Sequence, residues 1–170
     1  MKRLSILVSV LIFSTYSFAA TPKNDAEVMN MLMTVNTEEM NLSTVGKTKS
    51  SNEKVKAFSD KMMKAHTNNN ERAMSLQKSE NLKLAESKPS MKTKTKAEDT
   101  VENLKTMEGK NFDKAYMNAQ VKMHQDTLNK LDNELIPNAK NDQLKALLKT
   151  TKGHVQDHLK EAQQIQTSLQ

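Results

Sequence analysis

Apolar residues recur along this chain at alternating steps of three and four, the period of a helix buried on one face. Val28, Leu32, Val35, Glu39 and Leu42 form the first such face, with a carboxylate among its apolar members. Asn24 or Asp25 supplies an N-cap, and the helix is predicted to run to about Thr48. The polar run Lys49-Ser50-Ser51-Asn52 makes a turn. Ser50 with Glu53 fits a capping box for a second helix reaching about Leu84. Its inner face reads Val55, Phe58, Met62, His66, Asn69, Ala73 and Leu76.

Residues 85–96 break the pattern. Pro89 sits in a Lys/Ser/Thr-rich run with little to bury, which predicts a flexible, solvated connector. A short helix is predicted around Glu98 to Met107, ended by Gly109, and a third long helix from about Asn111 to Leu135, stopping at Pro137. Met117, Val121, His124, Leu128, Leu131 and Leu135 make its stripe, and Phe112, Tyr116, Ala119 and Met123 widen it. The last helix spans about Asp142 to Thr167, with Leu144, Leu148, Val155, His158, Ala162 and Ile165 inward. Gly153 inside it costs about 1 kcal/mol relative to alanine. Four long helices, two short turns and one longer crossover between helices two and three predict an all-α, up-down four-helix bundle.

The first 19 residues stand apart from this scheme. Lys2 and Arg3 precede the apolar run Leu4 to Phe13, and Ser17-Phe18-Ala19 offers small residues where a signal peptidase cuts. A cleaved signal peptide over residues 1–19 is therefore expected, leaving residues 20–170 as one domain without a transmembrane span, exported to the periplasm or cell envelope. The 26 Lys and Arg, two of them in the leader, face 20 Asp and Glu, a mild excess. With four Phe, two Tyr and no Trp, no aromatic and basic face offers itself to nucleic acid. The absence of cysteine excludes disulfides, thiolate metal ligands and a cysteine nucleophile together. Twelve methionines, scattered along the chain, read as adaptable core filler.

Each apolar stripe is interrupted by one residue able to bind metal: Glu39, His66, His124 and His158. The fourth histidine, His154, falls toward the edge of its face. If the helices run up, down, up, down, the turns at Ser50 and Asn138 share an end, and counting from them spreads the four residues over roughly 13 Å. Tilt and long side chains absorb part of that spread, so one mid-bundle layer is within reach, and bundle cores build metal sites from facing helices in this way. A Glu and three His suit Zn, Fe, Mn or Cu. The competing reading is a buried hydrogen-bond network with Asn69, Asn70 and Tyr116 as partners of the histidines. A di-iron centre needs a Glu-x-x-His on each of two helices, and here Met63 and Val121 stand three residues before His66 and His124. There is no serine tied to a histidine by a recognised spacing and no glycine-rich phosphate loop.

The arrangement resembles the bacterial exported domain-of-unknown-function family 4142 over nearly all of the mature chain. The likeness is carried by Asp25-Ala26, Glu39-Met40-Asn41-Leu42, Val55-Lys56-Ala57-Phe58 with Met62, Met63 and His66, and Asn111-Phe112-Asp113-Lys114-Ala115-Tyr116. Val121 with His124 and His158-Leu159-Lys160-Glu161-Ala162 complete it. The family pattern matches Glu39, His66, His124 and His158 and not His154. It differs where an aspartate usually precedes each of the first two histidines, here Ala65 and Met123, and where a leucine-proline step is replaced by Lys152-Gly153. The resemblance implies a ferritin-like helical fold and export, and no established activity. Two functions are expected: a non-enzymatic cell-envelope bundle, stress-related, with a structural or binding role, or a metal-binding bundle using the Glu/His3 set. A third is weak membrane-surface association through the Lys-rich connector.

Overall fold

A computed structural model describes residues 21–169 of the chain; the leader expected over residues 1–19 lies outside the described residues. Helix α1, Asp25–Lys49, opens on Asn24, whose side chain accepts from the Glu27 N–H at 3.0 Å, as its sequence predicts. Helix α2, Glu53–Ser79, is capped by Asn52 rather than by Ser50. The Ser50 hydroxyl is engaged elsewhere: it accepts from the Asn52 N–H at 3.0 Å and donates to the buried Asp113 carboxylate at 2.5 Å. This leaves Asn52 Oδ1 to accept from the N–H groups of Lys54 and Val55.

Helix α2 ends five residues before the expected Leu84. Asn81 adopts the left-handed conformation, at φ 49°, and the Leu82 N–H reaches back to the Gln77 carbonyl at 3.0 Å, closing the helix. The segment expected as a connector over residues 85–96 is corrected by helix α3, Lys88–Lys105, which also absorbs the short helix expected near Glu98. Pro89 lies in the first turn of α3, where its missing N–H has no partner to lose, and Ser87 and Ser90 cap the start reciprocally. The buried residues of α3 are Ser90, Ala97 and Leu104, one every seventh position and two of them small. So sparse a stripe packs a helix without advertising one.

Helix α4, Gly109–Lys130, widens into a π turn at Leu131–Leu135 and a short turn at Ile136–Asn138. Pro137 has no N–H to bond back and its ring crowds the preceding turn, which the wider turn relieves. Helix α5 runs Asp142–Ser168 from an Asn141 cap. The described residues are otherwise turns and irregular connections, with no strand among them, and no described helix is long and apolar enough to cross a membrane.

Two apolar clusters fix the direction of each helix. One gathers Val28 and Leu32 of α1, Ala73 of α2, Leu128 and the π-turn Leu131 and Leu135, and Leu144 and Leu148 of α5. The other gathers Leu42 of α1, Val55 and Phe58 of α2, Leu104 of α3, Phe112 and Tyr116 of α4, and Ala162 of α5. Helix α1 therefore runs from the first cluster to the second, α2 back, α3 forward, α4 back and α5 forward. The expectation that the turns at Ser50 and Asn138 share an end is thereby corrected. Ser50 sits beside Asp113 at the start of α4, whereas Lys140 and Asn141 donate their N–H groups to the Asp25 carboxylate at the start of α1, at 2.6 and 3.0 Å. The crossover is itself a helix that spans the bundle, so α4 begins where α1 ends. Helix α1 packs along both α2 and α3, and α4 along α5.

Candidate metal centre

Between the two apolar clusters lies a belt of buried polar side chains: Asn36, Glu39, His66, Asn69, Gln120, His124, Thr151 and His158. The corrected topology explains why they meet. Glu39, His66, His124 and His158 each lie about 10 to 15 residues from the end of their helix on the Ser50 side, a spread of roughly 8 Å along the axis.

The structure brings the three histidines together. One ring nitrogen from each of His66, His124 and His158 lies within 4.8 Å of the other two. The ring centroids are 6.0 Å apart for His66 and His124, and 5.6 Å for each of these with His158. All three rings are buried, and Phe58 leans against His124 at 6.4 Å.

Hydrogen bonds hold two of the rings with a nitrogen to spare. His66 Nδ1 bonds Asn36 Oδ1 at 3.1 Å, and that oxygen also accepts from Asn69 Nδ2 at 3.0 Å, so the ring is the donor and Nε2 carries the lone pair. His124 Nδ1 donates to the Gln120 carbonyl at 2.9 Å, which again leaves Nε2 as the lone-pair nitrogen. Those two Nε2 atoms and His158 Nδ1 are buried without a partner. Burial, with the neighbouring imidazoles second, holds His66 well below the usual histidine range, and burial followed by His124, the Lys61 ammonium and His154 lowers His158 to about 3. Both rings are thus neutral at physiological pH, the form that donates a lone pair to a metal.

Glu39, the fourth expected ligand, is not in that cluster. Its Oε1 stands 3.5 Å from His124 Nδ1, the nitrogen turned toward the Gln120 carbonyl, so the carboxylate approaches His124 on the side away from its free Nε2. Its Oε2 has no partner, and burial raises its pKa against the opposing pull of His124 and Gln120. In this position Glu39 can orient and polarise His124, as carboxylates do behind metal-bound imidazoles. His154 is exposed on α5, outside the cluster, as the sequence predicts.

The partners of the histidines differ from those expected. Asn69 bonds Asn36 and accepts from Thr151 Oγ1 at 3.0 Å rather than meeting a ring, and the Asn70 Oδ1 has no partner. The Tyr116 hydroxyl accepts from Ser59 Oγ at 2.9 Å and Gln120 Nε2 at 3.0 Å, and burial pushes its pKa up. Asn36, Gln120 and Thr151 were legible: each stands three or four residues from a stripe member, at Leu32, His124 and Val155. Their polarity hid them in a search for apolar faces.

The chain belongs to the DUF4142 family, described as a domain of unknown function, whose sequence profile matches residues 14–165. No curated protein and no solved structure matches it.

Proposed function

We propose that this protein is an exported, metal-binding helical bundle of the cell envelope, holding one divalent transition ion on His66, His124 and His158. The observation that carries the reading is the convergence of three buried imidazoles, each with a ring nitrogen that lacks a partner. Buried polar atoms are nearly always satisfied, so three converging rings that each keep a buried nitrogen without a partner point to an ion. Metal–nitrogen bonds of about 2.0–2.1 Å in a tetrahedron place ligand nitrogens about 3.4 Å apart. The separations here, up to 4.8 Å, close to that by small ring rotations.

Three neutral imidazoles suit Zn(II), Cu(II), Fe(II) or Mn(II), with a fourth position left for water or another small ligand. Support for export comes from the leader read in residues 1–19. Helices α1, α2, α4 and α5 around the belt, with α3 as the crossover, support a ferritin-like four-helix arrangement. A cluster of three histidines with a single carboxylate behind one of them argues against a di-iron centre.

The test is elemental analysis and thermal denaturation after reconstitution with each of the four metals. One equivalent of bound metal is expected, with a stabilisation of about 2.7 kcal/mol at a hundredfold excess over Kd. His66→Ala and His124→Ala should lose the stoichiometric complex and its thermal shift, retaining at most weak binding. Absence of stoichiometric metal and of any thermal shift with all four ions would overturn the reading and leave a structural role for the belt.

A further inference from the structure

His154 is exposed and takes no part in the three-ring cluster. It precedes His158 by one turn of α5, a spacing that sets two side chains on the same face of a helix. Both residues line a cleft of about 690 Å³ between α2 and α5. His158 therefore belongs to two places at once, giving a ring nitrogen to the cluster and a wall to the cleft. Exposure is graded in the same direction: 1 % for His124, 4 % for His66 and 7 % for His158. An ion approaching through the cleft meets His154 and His158 before the other two rings.

The rim of that cleft is unwelcoming to a bare dication. Lys61, Lys64 and Arg72 line it with Asp60; Lys61 is paired with Glu161 and Asp60 with Lys47, which leaves Lys64 and Arg72 in excess. Positive potential at a mouth slows the arrival of cations, so a ligand that captures the ion there has a kinetic effect.

We propose that His154 and His158 form a loading station, taking up the ion across one helical turn before His158 passes it inward to His66 and His124. This rests on the metal-binding reading above. The transfer is a ligand exchange: bonds from the ion to water and to His154 break as bonds to His66 and His124 form, and the oxidation state is unchanged. His154 is absent from the final coordination shell, so its contribution is to rate and not to equilibrium.

Cobalt(II) is the probe, because its visible spectrum reports imidazole coordination, with the full mature chain in stopped-flow mixing. His154→Ala, a surface change, should reach the wild-type spectrum and affinity several-fold more slowly. His66→Ala should lose the buried-site spectrum but keep weak binding that vanishes when His154→Ala is added. The proposal is overturned if His154→Ala loads as fast as wild type, or if it loses equilibrium affinity as His66→Ala does. A wild-type protein that gives no histidine-bound cobalt spectrum would overturn the metal-binding reading itself, and the loading station with it. That failure appears in the wild type, and the other in the variant alone.

Discussion

Replacing Gly46 by alanine sets two opposed effects against each other. The residue lies inside α1, where alanine is favoured over glycine by about 1 kcal/mol. A Cβ at that position would fall 2.3 Å from Ser59 Oγ, 2.4 Å from Tyr116 Cζ and 2.6 Å from Tyr116 Cε2. Neither neighbour is free to yield. Ser59 Oγ is bonded to the Val55 carbonyl at 2.8 Å and to the Tyr116 hydroxyl at 2.9 Å, and the tyrosine ring is fully buried and stacked on Phe112. Overpacking of this kind costs about 1–3 kcal/mol, and overlaps this deep belong at or above the upper end. Subtracting the helix preference leaves a net loss of about 2 kcal/mol, a fall in Tm of about 4–8 °C for a chain of this size.

Gly153→Ala is the matched control. Gly153 is exposed in α5 with nothing within 4 Å of an added Cβ, so only the helix preference remains and stability should rise by about 0.5–1 kcal/mol. Calorimetry and urea denaturation of the metal-free protein measure both. Tyr116→Leu removes the ring that clashes, so it should cost less in the Gly46→Ala background than alone, a favourable coupling in the double-mutant cycle. If Gly46→Ala stabilises the protein as Gly153→Ala does, the close packing of Tyr116 on α1 is refuted.

Three further outcomes are expected. Asn36→Ala leaves His66 Nδ1 and Asn69 Nδ2 without their shared acceptor. Unfolding free energy should drop by about 1–3 kcal/mol without metal, and metal affinity by about 10–100-fold as the ring loses its orientation; an unchanged affinity would show that Asn36 does not set the ring. Glu39→Gln keeps the shape of the side chain and removes its charge, so isothermal titration should read a weaker metal complex with one equivalent still bound, and loss of the binding stoichiometry would instead make Glu39 a ligand. The pH dependence has a definite sign. The folded protein keeps His158 neutral down to about 3, so below about 6.5 only the unfolded chain takes up that proton and stability falls, by up to about 1.4 kcal/mol per pH unit. Glu39, whose pKa is raised, opposes this above about 4.5 and falls silent below it, so the decline steepens there. Urea denaturation of wild type minus that of His158→Gln isolates the histidine from other carboxylates, and a difference that is flat from pH 7 to 4 would contradict a neutral buried ring.

How much of this was legible in the sequence depended on what each residue has to do. The stripes of α1, α2, α4 and α5 bury large apolar side chains every three or four residues, so both the helices and the inward placement of His66, His124 and His158 could be read from periodicity. Helix α3 could not, because Ser90 and Ala97 pack by being small and Pro89 at a helix start looks like a breaker in a linear reading. Missing α3 as a helix spanning the bundle reversed the direction given to α4 and α5 and inflated the depth spread of the four residues. Glu39 illustrates a different boundary. Periodicity assigns a residue to a face, but whether a carboxylate there meets the free or the bonded nitrogen of a neighbouring ring is decided by side-chain torsions and by the Gln120 carbonyl.

The belt separates two greasy ends that share no covalent link beyond the helices themselves, in a chain without a single cysteine. An ion gripped by α2, α4 and α5 would act as a removable crosslink of the folded state, tying ligands about 58 and 34 residues apart in sequence and so opposing any local opening that separates these three helices. Such a tie needs no oxidant to form and no reductant to undo; acid or a chelator releases it. The rigidity of the molecule would then follow the metal content of its surroundings, and amide exchange in the outer turns of these three helices would slow when the ion is bound.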